Sequence, residues 1–180
     1  MFYLQSLGDE ALRPSVAAAL RRMFKKGCKN KIMRLALYQP DIPQNVGAAI
    51  RAAACFGAAL DVVEPCGFPL NARELRRVAM DYGEQAAPTS HASWGHFLNQ
   101  IDSARLVLLT TSAVQSVWDF EFRADDILLT GSESAGAPPD VHARADARLR
   151  IPLVPGARSL NIHVAAAVAL AEARRQLGWD

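Results

Sequence analysis

No apolar run among the 180 residues approaches the roughly 20 needed to span a bilayer. The opening stretch, MFYLQSLGDEALR, lacks both the basic start and the apolar middle of a signal peptide. Cysteine is scarce: Cys28, Cys55 and Cys66 are an odd count with no CxxC, and the four histidines stand at no metal-ligand spacing. These absences predict a reduced, cytoplasmic protein without a membrane segment and without a metal. Two phosphate-binding fingerprints are missing as well. No GxGxxG follows the first apolar run, where PDIPQNVG stands instead, and no P-loop pattern occurs, which weighs against a dinucleotide enzyme and an NTPase.

What is present is an ordinary globular composition, 51% apolar and 21% charged, long enough for one domain with a real core. The net charge of +2 conceals a division. Residues 1–34 carry eight Lys or Arg against Asp9 and Glu10, whereas residues 35–180 carry twelve against sixteen acids, giving +6 in front of a body of −4. A basic segment of this kind either holds nucleic acid or is a solvated tail; only Phe24 is interleaved with the charges of RRMFKKGCKNK, which favours the tail.

From Arg34 onward apolar runs and helical patterns alternate. RLALY (34–38), LDVVEP (60–65), RLVLLTT (105–111), DILLTG (126–131) and LRIPLV (149–154) read as strands, mostly of the continuous apolar type found in buried parallel sheets. QNVGAAIRAAACFG (44–57) reads as a helix closed by Gly57, NARELRRVAMDYG (71–83) as an amphipathic helix, and SWGHFLNQI (93–101) as a weaker one. A last helix is expected from about Ser159 to Leu177. Its start, PGARSLN, offers both Ser159 and Asn161 as caps. The alternation predicts an α/β protein with a mostly parallel sheet and flanking helices, whose ligand would sit at the carboxyl ends of the strands. Three of those ends carry unusual loops: TTSAV, GSESAGAPP and PGARSLN.

Three patterns occur in a fixed order: NVGAAIR after the first strand, TGSESAG after a late one, and IPLVPGARSLNI leading into the last helix. Together they closely resemble the motifs of the SpoU branch of the SPOUT RNA methyltransferases. The similarity is greatest to the small members that 2′-O-methylate the wobble cytidine or uridine 34 of tRNA. LYQPDIPQNVG, VVEPCGFP, LRRVAMDYGE and RQLG resemble that subfamily too.

The resemblance implies a C-terminal deep trefoil knot and binding of S-adenosylmethionine, with no metal, at Leu109, Gly131, Ile151, Ser159 and Leu160. It implies that Arg51 is catalytic, together with Asn45 at the ribose, and that Asn161 braces the knot. A guanidinium stays protonated in proteins. Arg51 is therefore expected to hold RNA phosphate and to stabilise developing alkoxide, while its use as a base in some accounts of the family stays open. Glu133 is either a structural carboxylate accepting backbone N–H groups, the favoured reading, or a residue positioning the acceptor. For His91, His96, His142 and His163 a solvated or core role is preferred to catalysis.

The partners implied are tRNA and a second copy of the chain, with Arg73, Arg76 and Arg77 as an RNA-binding patch. The same chemistry on rRNA or another tRNA position, and a non-catalytic RNA-binding protein of the same fold, are the competing readings. Four positions depart from the subfamily's pattern: Ala135, Ala137, His163 and Ala171. Residues 33–180 form the expected methyltransferase domain. Residues 1–32 have no counterpart in the small members and are expected to be either an added arm or a start-site artefact.

Overall fold

In the computed structural model, residues 33–70, 87–101 and 103–178 are described. The basic segment 1–32 lies outside them, as does the helix expected over 71–83 with Arg73, Arg76 and Arg77.

Seven strands build one sheet: β1 (Arg34–Tyr38), β2 (Ala59–Val63), β3 (Thr89–His91), β4 (Leu106–Leu109), β5 (Gln115–Ser116), β6 (Ile127–Thr130) and β7 (Ala147–Arg150). They are ordered β3-β2-β1-β6-β4-β7-β5, and every neighbouring pair is parallel. Helices α1 (Pro43–Phe56), α2 (Trp94–Leu98), α3 (Pro139–Arg144) and α4 (Ile162–Leu177) cover it, with a 3-10 turn at Val117–Asp119. The expected fold class therefore holds. The strand expected over 149–154 begins and ends earlier, at 147–150, because Pro152 cannot continue a sheet ladder. Three short elements (β3, β5 and α3) had no clear signature, being too brief for a period to register.

Strand periodicity sorts the side chains onto two faces. Leu35, Leu37, Leu60, Val62, Val107, Leu128 and Leu149 point to one side, where α1 and α4 pack. Ala36, Tyr38, Val63, Leu106, Leu108, Ile127 and Leu129 point to the other, against Phe97, Ile101 and Val141. The result is a three-layer sandwich whose sheet is buried on both faces, which explains why its strands read as continuous apolar runs.

Helix α1 begins with Pro43, whose missing N–H falls where helix donors are unpaired anyway. It ends on Gly57 in the left-handed region at φ 62°, with its N–H directed to the carbonyls of Ala53 and Ala54. Arg174 of α4 donates to the carbonyls of Phe56 and Gly57 and so ties the end of α1 to α4. Ala49 and Ala53 of α1, and Ala166, Ala169 and Ala173 of α4, are buried in the same cluster, small enough for the layers to approach closely.

Charged groups inside the sandwich are paired. Arg34 grips Asp61 with Nε and Nη2 at 2.7 and 2.6 Å, and His91 Nε2 lies 2.7 Å from Asp61 Oδ1. Since a carboxylate only accepts, Nε2 carries the hydrogen there. On α4, the buried Glu172 takes both arms of Arg175 and the amide of Gln176, which hold its carboxyl at about 2 against an ordinary 4.5. A carboxyl whose pKa is depressed in the folded state adds stability above its unfolded pKa and loses it as pH falls through the folded one. Between pH 4.5 and about 2 the wild-type chain should accordingly lose this contribution, whereas Glu172→Gln has no such contribution to lose. Urea unfolding of both proteins across that range is expected to show a shallower acid decline for the variant.

Candidate active site

The carboxyl ends of β4, β6 and β7 open into one cavity of about 510 Å³, a size suited to a small-molecule ligand. Leu109 and Thr110 wall it from the end of β4, Thr130 and Gly131 from β6, and Leu149 and Ile151 from β7. Ser159, Leu160 and Asn161, before α4, close another side, and Asn45 reaches it from the first turn of α1. All five residues expected to hold a cofactor, Leu109, Gly131, Ile151, Ser159 and Leu160, thus meet at one place. Thr130 Oγ1 is buried there without a hydrogen-bond partner among the described residues. A buried hydroxyl left unpaired is costly, so this wall is one that a polar ligand would complete.

The loop after β6 is shaped by glycine. Ser132 and Gly136 exchange both backbone hydrogen bonds at 3.0 Å, and Gly136 takes a positive φ of 69° to close the turn. A Cβ on Gly131 would stand 2.3 Å from the Gly136 carbonyl carbon and 2.4 Å from the Ala137 nitrogen. Glycine is required at 131 by the loop's own backbone as much as by any ligand, which the motif alone did not convey.

Glu133, at the tip of this loop, reaches across to the start of α1. Its Oε2 accepts from the backbone N–H of Asp41 and its Oε1 from Asn45 Nδ2, both at 2.7 Å. Asp41 answers in the opposite direction: its Oδ2 accepts from the backbone N–H and hydroxyl of Ser134 at 3.0 and 2.6 Å. Those bonds to Ser134 hold the Asp41 carboxyl below its usual range. Helix α1 has no acid in its first turn and no side-chain cap. Glu133 supplies negative charge there from another loop, where the helix dipole favours it. The donors to Glu133 are thus the backbone N–H of Asp41 and the side-chain amide of Asn45, and neither belongs to its own turn. Nearby, burial pushes the Cys66 thiol up to about 11, and the carboxylates of Glu64, Glu133 and Asp41 add to the shift.

Asn161, not Ser159, caps α4, with its Oδ1 accepting from the backbone N–H of His163 at 3.1 Å. Ser159 stands two residues before the cap and lines the cavity instead. Asn161 Nδ2 also donates to Asn45 Oδ1 at 3.3 Å, with His163 Nδ1 3.2 Å from the same oxygen. Asn45, Glu133 and Asn161 therefore form one connected group.

Arg51 is not on the cavity wall. It is exposed on α1, one turn beyond Gly47. Sequence reasoning passed over Asp41, Ser134 and Thr130. Asp41 stood between two prolines in a loop with nothing nearby in sequence to pair with, and its partner lies 93 residues away. Among the described residues no group of three or more His, Cys, Asp or Glu is placed to hold a metal ion.

A methyl at position 131 has no space to enter, so Gly131→Ala must displace the 131–137 loop. Isothermal titration with S-adenosylmethionine is expected to show at least tenfold weaker binding for this variant than for wild type. Gly95→Ala serves as the comparison: an added Cβ there meets only Ser93 Oγ, at 3.9 Å, and Gly95 is not on the cavity wall.

Residues 32–171 match the model of the SpoU rRNA Methylase family. A protein of Beijerinckia indica subsp. indica named tRNA (cytidine(34)-2′-O)-methyltransferase is 56% identical over 146 residues, covering 80% of this chain and 91% of the relative. A solved structure, reported under "Structural insights into the 2-OH methylation of C/U34 on tRNA", superposes with a TM-score of 0.77 at 40% identity, covering 82% of this chain and 97% of that one. The SpoU methyltransferase AviRb of Streptomyces viridochromogenes, solved in complex with AdoMet, superposes with a TM-score of 0.76 at 25% identity, over 86% of this chain and 64% of that one. With the family's pattern running through the strand ends, the glycine loop and the start of α4, this chain belongs to the SpoU methylase family.

Proposed function

We propose that the protein transfers the methyl group of S-adenosylmethionine to the ribose 2′-hydroxyl of nucleotide 34, a cytidine or uridine, in tRNA. The observation that carries this reading is the meeting of all five expected cofactor residues at the carboxyl ends of β4, β6 and β7, in a chain so similar to wobble-nucleotide methyltransferases. When bound, S-adenosylmethionine supplies a methyl on a sulfonium that departs as a neutral thioether, so the transfer calls for placement above all.

The cavity fits such a group. Leu109, Leu149, Ile151 and Leu160 offer apolar wall, the 131–137 loop offers backbone, and Thr130 offers an unsatisfied hydroxyl. Asn45, fixed by Glu133 and Asn161, is a polar group on the cavity wall that would face an acceptor ribose. Holding hydroxyl and methyl in line is worth roughly 7–11 kcal/mol of barrier in favourable cases.

Arg51 is suited to the RNA side. Its exposed place on α1, outside the cofactor wall, accords with a guanidinium that grips a phosphate and offsets charge on the developing alkoxide. The proposed assembly is a homodimer. Ile42, Leu153, Val154, Leu160 and Val164 leave large apolar side chains in water on and beside the cavity rim, a patch that a second copy would cover. The proposed chain path is the family's trefoil knot, supported by the way the segments at 131–137 and 151–161 enclose one cavity with the start of α1. The proposed compartment is the cytoplasm, where tRNA is met; among the described residues no helix is long and apolar enough to cross a membrane.

Two outcomes test this reading. Nucleoside mass spectrometry of tRNA treated with the purified protein and S-adenosylmethionine is expected to show a ribose-methylated nucleotide at position 34. Methylation confined to rRNA or to another tRNA position would move the protein to the competing enzymatic reading, and none at all to the RNA-binding one. Arg51→Ala is expected to lower kcat at least a hundredfold in the same assay with S-adenosylmethionine affinity within about twofold. Arg51→Lys should recover only part of the loss, because an ammonium lacks the planar fork.

A further inference from the structure

We propose that His163 is a positioning residue of the methyl-transfer site, acting through Asn45; this rests on the reading of the cavity just given. The chemistry of the partners fixes the hydrogen positions. Glu133 Oε1 only accepts, so the Asn45 atom 2.7 Å from it is the amide nitrogen. The other end of that amide is then the carbonyl oxygen, and it too only accepts. It faces Asn161 Nδ2 at 3.3 Å and His163 Nδ1 at 3.2 Å. His163 must therefore carry its hydrogen on Nδ1. The opposite tautomer would set two lone pairs against each other across that gap.

The same assignment satisfies Asn161 at both ends, its nitrogen on Asn45 and its oxygen on the His163 backbone N–H. One pattern of donors thus runs from the α4 start through Asn45 to the Glu133 loop. The imidazole is half-buried and is not on the cavity wall, whereas Asn161, Ile162 and Ala165 around it are. What His163 contributes is the second donor that keeps the Asn45 oxygen turned away from Glu133. Loss of that donor frees Asn45 to leave the cavity edge, at a cost to turnover rather than to cofactor binding.

The experiment uses the full chain with nitrogen-15 histidine and four proteins: wild type, His163→Ala, His163→Asn and His163→Gln. Nitrogen NMR at mildly alkaline pH is expected to show His163 as the Nδ1–H tautomer, and this readout does not depend on any substrate. In methyl transfer to tRNA, the alanine and glutamine variants are expected to lose about tenfold in kcat, with the KM for S-adenosylmethionine within about twofold. The asparagine variant, whose amide nitrogen takes the place of Nδ1, should return to within about threefold of wild type. An Nε2–H tautomer, full turnover in the alanine variant, or an asparagine variant no better than alanine would each overturn the proposal. A wild-type protein that methylates no tRNA would instead sink the reading of the cavity, and the tautomer would still decide on His163.

Discussion

Glu133 at the start of α1 is the contact on which the site depends. The first turn of α1 holds no acid and no side-chain cap, and Pro43 brings it no N–H, while Asn45 and Val46 donate to the Ile42 carbonyl. A carboxylate from the 131–137 loop comes to that end, and Asp41 returns the favour by binding Ser134. The two loops exchange backbone donors for carboxylate acceptors in both directions, much as the two ends of a capping box do within one helix. Because each carboxylate has two donors, one of Glu133's being the Asn45 amide, the edge of the cavity is held at fixed geometry before any ligand arrives. Preorganisation of this kind is what a reaction governed by placement requires.

The rest of the architecture keeps those loops where they can meet. A fully parallel sheet brings the ends of β1, β6, β4 and β7 to the same side, and the exchange of bonds takes place just beyond them. Alanine at the buried positions of α1 and α4 lets both helices lie low on one face, and Arg174 binds the carbonyl end of α1. That leaves the opposite ends of the two helices, at Asn45 and Asn161, within hydrogen-bonding distance of each other.

Much of this was legible in the residues. Continuous apolar runs such as ILLT gave away a sheet covered on both faces, and Gly57 marked the end of α1 to the residue. That Leu109, Gly131, Ile151, Ser159 and Leu160 would meet in one site was implied by the resemblance and not by periodicity. The boundary of α4 was half legible. Ser159 and Asn161 both have the chemistry of a cap, and only the path of the preceding loop decides which one turns its oxygen inward. Asp41, Ser134 and Thr130 were illegible for a different reason: their roles are defined by partners, or by the lack of one, that the fold brings near and the sequence does not. His163 was set aside because a lone histidine has no spacing to advertise it, and its tautomer follows only once Asn45 is oriented by Glu133.

The hydrogen bond between Asn45 and Asn161 spans 116 residues of chain. During synthesis a protein emerges from its N-terminus, and strands β1 and β2 are available long before α4 exists. A nascent chain can therefore form the first crossover, but Asn45 lacks its partners Asn161 and His163 until the final helix has left the ribosome. Closing so large a loop is slow and is rewarded only at the end. Termination just after β7 yields a polypeptide that retains all seven strands but lacks Asn161, and with it the bond that joins the start of α4 to Asn45.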